Sequence, residues 1–110
     1  MPSILLASLD PRGAVETDKP AGAYSMEMLA DDVAASMHTI GVERAHESGV
    51  SFGAATGLWL AGKYPQRVKS LSLHSCWTKT DPFLKVVVEG WRSIAKRLGC
   101  CRSRLARDAE

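Results

Sequence analysis

Residues 47–55 decide the fold, and they read Glu47-Ser48-Gly49-Val50-Ser51-Phe52-Gly53-Ala54-Ala55. The pattern G-x-S-x-G at positions 49–53 lies between a candidate strand and a helix rich in small residues, which is the context in which it forms a sharp turn. Gly49 and Gly53 keep neighbouring side chains from clashing and leave the Ser51 hydroxyl exposed. The pattern predicts Ser51 as a nucleophile, with the backbone N–H of Phe52 directed at a developing oxyanion.

Upstream of this turn, the sequence predicts a strand and a helix. The apolar run over residues 4–9 predicts a buried strand that ends at a Pro-Gly turn signal. Apolar residues then recur at spacings of three and four, which predicts a helix from Ser25 as N-cap to Gly41. Residues 44–48 are too polar to indicate a strand by periodicity, so that strand is inferred from the turn that follows it.

Downstream of the turn, small residues over 53–64 predict a helix close against a sheet, and alternation over 68–74 predicts a strand. Asp81 and Pro82 predict the N-cap and first residue of a further helix, which Gly99 ends. This order predicts an α/β fold with about three mainly parallel strands and flanking helices. We expect one core domain over residues 1–98 and a basic, disordered or unrelated tail over residues 99–110.

The charge distribution is uneven although the chain of 110 residues has a formal net charge of only +2. The last fifteen positions hold five of its fourteen basic residues: Lys96, Arg97, Arg102, Arg104 and Arg107. Such a tail could contact nucleic acid or anionic lipid, but a short solvated basic end is the commoner meaning. We therefore expect no nucleic-acid partner.

Cysteine usage and hydropathy bound the compartment. The three cysteines, Cys76, Cys100 and Cys101, form no disulfide framework, because adjacent cysteines rarely bridge each other. No apolar stretch approaches the length of about 18 residues that a membrane span needs, and no signal peptide is indicated. These features predict a reduced, cytoplasmic protein without a membrane association.

Several segments in order resemble one known family. Five segments are similar to serine α/β-hydrolases of the esterase, lactonase and non-haem haloperoxidase type. They are Leu9-Asp10-Pro11-Arg12-Gly13, the helix from Tyr24-Ser25, the stretch Gly41-Val42-Glu43-Arg44-Ala45-His46 before the strand, the pentapeptide, and Lys63-Tyr64-Pro65-Gln66-Arg67-Val68. The resemblance runs from the family's fourth strand to the helix after its sixth. It implies hydrolysis of a small ester or lactone through an acyl-serine intermediate on Ser51, without a metal or organic cofactor.

The resemblance also implies partners that the sequence does not supply. In this family an acid follows the sixth or seventh strand, and a histidine that serves as the base follows the eighth. His74 and Asp81 are the alternatives in this chain, but His74 belongs to the end of the sixth strand and Asp81 is better explained as a helix cap. The family's third strand and its oxyanion donor are also missing, so the strand over residues 4–9 has no family neighbour.

These gaps leave two interpretations open. The chain is either a catalytically incomplete hydrolase with weak or no turnover or a non-catalytic remnant that acts as an association module. A truncated gene, a shifted reading frame, a natural tail and an internal start are the alternative origins of its departure from the family's pattern. Association would use exposed strand edges or the helix face formed by Leu84, Val88, Trp91 and Ile94. The simpler interpretation of that face is a helix that covers its own sheet.

Overall fold

The computed structural model of the protein describes residues 3–98, which form three α-helices, two strands and one short 3-10 helix. Their order is α1 (Met26–Thr39), β1 (Ala45–Val50), α2 (Phe52–Lys63), the 3-10 helix (Pro65–Arg67), β2 (Val68–His74) and α3 (Pro82–Leu98). The predicted α/β class with parallel strands and flanking helices is confirmed. Residues 3–98 contain two strands, one fewer than the three expected.

The two strands are parallel and pair along their whole length, from Ala45 beside Val68 to Val50 beside His74. A register shift after Ala45 leaves Lys69 as an extra residue, so Val68 joins Leu71 and Leu73 at the partly buried positions of β2. The strict alternation expected from the sequence is therefore interrupted once. The other face of the sheet is exposed and mostly polar, with Ser48 beside Ser72 and His46 beside Ser70, and it carries the exposed Val50 at its end.

Helices α1 and α2 pack together and form the core. Helix α1 begins as predicted, because the Ser25 hydroxyl accepts a hydrogen bond from the N–H of Met28 at 3.1 Å, and Gly41 adopts a left-handed φ of 75° just after its end. The buried cluster contains Ala30, Ala34, Met37 and Leu60. A Cβ at Gly57 would lie 3.2 Å from Leu71, so a small residue lets α2 lie close to β2.

Polar contacts reinforce the pairing of these two helices at the surface. Lys63 of α2 contacts Glu27 and Asp31 of α1, each at 2.7 Å, and the Tyr64 hydroxyl donates to Asp31 at 2.6 Å. The Lys63 ammonium and the Tyr64 hydroxyl hold the pKa of Asp31 below its ordinary value. These contacts fix the end of α2 that is remote from Ser51.

The strand predicted over residues 4–9 is wrong: these residues are not paired with any described strand. A strand needs a neighbour to satisfy its backbone N–H and C=O groups, and an apolar run supplies only the side chains. Ile4, Leu5 and Leu6 are consequently 92%, 72% and 91% exposed. Just after the segment, Arg12 forms a bidentate ion pair with Asp32 of α1, which ties the chain to this helix.

The chain divides into two compact units, with the boundary between Trp77 and Thr78. The second contains α3, which begins as the sequence predicts: Asp81 caps it by accepting a hydrogen bond from the N–H of Leu84 at 2.7 Å. The single core domain over residues 1–98 and the role of the α3 apolar face stay predictions. The Gly99 helix end and the basic tail lie outside the described residues, and no helix within residues 3–98 has the length and apolarity to cross a bilayer.

Candidate active site

Ser51 lies at the junction between β1 and α2, where the chain reverses from an extended to a helical conformation. Its φ of 53° and ψ of −113° fall in a region that residues with a side chain rarely occupy. Its N–H donates to the carbonyl of His74 at 2.8 Å, and its own carbonyl accepts from the N–H of Ala55 at 3.0 Å. The backbone is therefore fixed on both sides while the side chain stays exposed.

The two glycines beside this turn have different roles. A Cβ at Gly49 would lie 2.5 Å from the carbonyl carbon and oxygen of Gly53 and 2.7 Å from the nitrogen of Ala54, so no side chain fits there. A Cβ at Gly53 would meet nothing within 4 Å. Only the first glycine of the pentapeptide is required by close approach of the backbone.

Phe52 is the first residue of α2, so its N–H belongs to the four that have no partner within a helix. No side chain caps this end of the helix, because the Ser51 hydroxyl makes no cap hydrogen bond. The free N–H groups and the helix dipole favour negative charge beside Ser51. This arrangement could stabilise an oxyanion that forms on an atom bonded to the Ser51 oxygen.

The backbone of His74 contacts the turn, because its carbonyl accepts the hydrogen bond from the Ser51 N–H, but its imidazole ring contacts Ser72 instead. It ends β2 next to Val50, and its Nε2 is 3.1 Å from the hydroxyl of Ser72. No hydrogen bond joins any imidazole to the Ser51 hydroxyl within residues 3–98. His46 pairs with Ser70 at 2.7 Å at the opposite end of the strands, and His38 is exposed on α1.

Asp81, the other sequence candidate, belongs to the second unit and has its carboxylate engaged as the α3 cap. The structure therefore brings Ser51, Phe52, Gly49 and Gly53 together with the backbone of His74, whereas Asp81 belongs to the other unit. Within the described part of the chain, no group of three or more His, Cys, Asp or Glu residues is arranged to hold a metal ion.

A cavity of about 1050 Å³ lies against β1, and Leu71 of β2 is also among its lining residues. Its walls include Leu6 and Leu9 from the N-terminal segment, Leu29 from α1, Leu60 from α2 and Glu47 from β1. Glu47 occupies a partly buried position of the strand, and burial raises the pKa of its carboxyl group. The cavity reaches Gly49, Phe52 and Gly53 at the turn.

Comparison with known proteins identifies the family. The family described as alpha/beta hydrolase fold matches residues 6–97, which is most of the chain. The chain belongs to the α/β-hydrolase family. Among solved structures, the α/β-hydrolase MGS-M2 from a Medee basin deep-sea metagenome library superposes with a TM-score of 0.77 at 27% identity, over 80% of this chain and 32% of its own.

Curated relatives of this α/β-hydrolase chain match at similar levels. "Putative carbamate hydrolase RutD" of Azorhizobium caulinodans is 34% identical over 76 residues, which are 69% of this chain and 29% of the relative. "3-oxoadipate enol-lactonase 2" of Acinetobacter baylyi is 36% identical over 58 residues, which are 53% of this chain and 22% of the relative. The chain thus spans less than a third of the length of these proteins.

Sequence reasoning about this α/β-hydrolase chain missed Glu47 and the Arg12–Asp32 pair. The sequence position of Glu47 could have indicated its partial burial. Glu47 is two residues from both Ala45 and Gly49, so all three lie on the same, partly buried face of the strand. Arg12 and Asp32 are twenty residues apart, and no local pattern links a loop to a helix at that separation. Only the folded chain brings them together.

The left-handed backbone of Ser51 should cost stability, and glycine should recover it. We expect Ser51→Gly to raise the free energy of unfolding by about 1 kcal/mol, since glycine adopts a positive φ without a steric penalty. Urea unfolding followed by circular dichroism measures this. Ser51→Ala is the control because it removes the hydroxyl and keeps the Cβ, so an equal gain in that variant would contradict backbone strain.

Proposed function

We propose that this chain carries the nucleophile of an acyl hydrolase and that Ser51 attacks the carbonyl carbon of a small ester or lactone. The observation that carries the proposal is the exposed hydroxyl of Ser51 on a left-handed turn between β1 and α2. A sharp strand-to-helix turn of this kind is what a nucleophile elbow requires, which supports the proposal. Strain at one exposed serine, fixed by backbone hydrogen bonds, is typical of a residue placed for chemistry.

The reaction has two steps. The Ser51 oxygen forms a bond to the carbonyl carbon and loses its proton to solvent water, and the negative charge moves to the carbonyl oxygen, where the N–H of Phe52 and the start of α2 stabilise it. The bond to the leaving oxygen then breaks, and that oxygen takes up a proton. Water repeats the attack on the acyl-serine ester and releases the acid and the free Ser51 hydroxyl.

The substrate class follows from the shared chemistry of the relatives. A lactone and a carbamate both contain a carbonyl carbon bonded to a heteroatom that can leave, and the relatives are named for these two groups. Attack by serine on such a carbon is one reaction type. This common step supports an acyl substrate and requires no metal or organic cofactor.

We further propose that the chain by itself is a weak catalyst because no residue among 3–98 serves Ser51 as a general base. Serine is a poor nucleophile unless an adjacent base takes its proton. The ring of His74 is engaged with Ser72, and the Asp81 carboxylate caps α3. Among residues 3–98, no side chain therefore holds the position that an activating imidazole needs.

Hydrolysis of p-nitrophenyl acetate tests the proposal. We expect the purified chain to turn over well below about 1 per second, the lower end of ordinary enzyme rates, and to exceed buffer by a small factor that Ser51→Ala removes. Ser75→Ala is a matched control, because Ser75 is also exposed, also follows a strand and also has a left-handed φ, at 54°. That variant should keep the wild-type rate.

Two results would count against this function. If Ser51→Ala hydrolyses the ester as fast as the wild type, Ser51 is not the nucleophile, and the alternative of a non-catalytic remnant stands. If the wild type reaches about 1 per second and Ser51→Ala abolishes it, the nucleophile is correct and the incompleteness is wrong, because some group then acts as the base.

A further inference from the structure

Two serine–histidine pairs lie on the exposed face of the sheet. His46 Nδ1 is 2.7 Å from the hydroxyl of Ser70, and His74 Nε2 is 3.1 Å from the hydroxyl of Ser72. The first pair joins the two strands near their beginning, whereas the second lies within β2, at the end beside the turn. Each nitrogen of a neutral imidazole serves either as a donor or as an acceptor, so a hydroxyl bonded to it keeps it from other partners.

His74 is the nearer of the two histidines to Ser51. It lies beside Val50 in the strand register, and its carbonyl accepts the hydrogen bond from the Ser51 N–H at 2.8 Å. With about 4.8 Å between strands and about 3.3 Å per residue, the Cα atoms of His74 and Ser51 are about 6 Å apart. His46 precedes Ser51 by five residues on β1, which separates their Cα atoms by about 16 Å. Of the two rings, only that of His74 can reach the serine hydroxyl.

The hydrogen bond to Ser72 turns the His74 ring away from Ser51. Ser72 precedes His74 by two residues on β2, whereas Ser51 lies beyond the level of His74, toward the carboxyl end of the strands. A ring that bonds to Ser72 therefore points back along its own strand. The side chains of His74 and Ser51 are both exposed, so the ring can change rotamer without moving buried atoms.

We propose that His74 is a latent general base for Ser51 and that its hydrogen bond to Ser72 withholds it. This inference rests on the acyl-hydrolase function proposed above. When the ring turns from Ser72 to Ser51, a ring nitrogen replaces solvent water as the proton acceptor. The small activity expected of the wild type then comes from the minority of molecules in which the ring has turned.

The imidazole is neutral before and after each step of this reaction. As the Ser51 oxygen bonds to the carbonyl carbon, its proton passes to the ring nitrogen, and the negative charge moves to the carbonyl oxygen. The imidazolium gives this proton to the leaving oxygen as that oxygen's bond to the carbon breaks. In the second step the ring takes a proton from the attacking water and returns it to the Ser51 oxygen as the acyl-serine bond breaks.

Hydrolysis of p-nitrophenyl acetate by the full chain carrying Ser72→Ala tests the proposal. Loss of one ordinary side-chain hydrogen bond shifts an equilibrium about fivefold, so we expect the Ser51-dependent rate to rise about fivefold over the wild type. Adding His74→Gln to Ser72→Ala should cancel the increase, because an amide cannot take the serine proton. Adding Ser51→Ala instead should cancel it as well.

Ser70→Ala is the matched control, because it releases His46, the other paired histidine on the same face. It should leave the rate unchanged. Far-UV circular dichroism should be unchanged in Ser70→Ala, Ser72→Ala and His74→Gln, since all three side chains are exposed.

Three results overturn the latent base: no increase in Ser72→Ala, an increase that survives His74→Gln, or an equal increase in Ser70→Ala. If Ser51→Ala is inactive in the same series, each of these results leaves Ser51 as the nucleophile and removes only the role of His74. A Ser51→Ala variant as fast as the wild type overturns the proposed function and the latent base together.

Discussion

Replacing Gly49 by alanine is expected to lower the free energy of unfolding by about 3 kcal/mol, the upper end of the usual cost of overpacking. The added Cβ would lie 2.5 Å from the carbonyl group of Gly53 and 2.7 Å from the nitrogen of Ala54. Both neighbours are backbone atoms of the first turn of α2, so no flexible side chain can move aside. The start of the helix itself would have to shift.

Gly53→Ala is the matched control for this prediction. The new Cβ meets nothing within 4 Å, and Gly53 lies inside α2, where alanine has a better helix propensity by up to about 1 kcal/mol. Urea unfolding of the three proteins gives the comparison. Equal losses for the two variants, or no loss for Gly49→Ala, would contradict the steric account of the turn.

The pair also explains what the pentapeptide could and could not predict. The pattern marks both glycines equally, and the sequence interpretation gave both the same role. In the structure only Gly49, at the end of β1, faces the backbone of the following helix. That asymmetry depends on the angle between strand and helix, which local sequence does not contain.

Elements with a local signal were predicted well. The Ser25 cap, the alternation over residues 68–74 and the Asp81-Pro82 start each depend on side chains within a few residues, and each element is present. The strand over residues 4–9 had an equally clear apolar signal and is absent. A strand is completed by a neighbour, so its formation depends on residues far away in the chain.

In the candidate site, too, the features set by local sequence could be predicted and those set by distant residues could not. The position of Ser51 between β1 and α2 could be predicted because the turn is local and short. The surroundings of His74 could not, because its ring contacts Ser72 on its own strand and only its carbonyl reaches Ser51. The raised pKa of Glu47 likewise depends on burial beside β1, which two helices and a loop create together.

The largest loss of stability is expected from Leu60→Ala. Leu60 has a fully buried side chain and packs in the cluster that joins α2 to α1. Truncating a buried leucine removes its transfer free energy and leaves a cavity, which together cost about 2 to 5 kcal/mol. Because the free energy of unfolding of a domain is only about 5 to 15 kcal/mol, this one substitution is expected to remove a large fraction of it.

Leu58→Ala separates the packing effect from a general effect of alanine in the helix. Leu58 lies on α2 two residues away and is only partly buried, so its loss should be smaller by at least about 1 kcal/mol. Thermal unfolding followed by circular dichroism measures both variants. Loss of this packing should also disturb the candidate active site. The positions of Ser51 and of the Phe52 N–H depend on where α2 begins, and Leu60 packs α2 against α1. If both variants lose the same amount, α2 is positioned by its strand contacts instead, and the support of the turn would lie at Gly57 and Leu71.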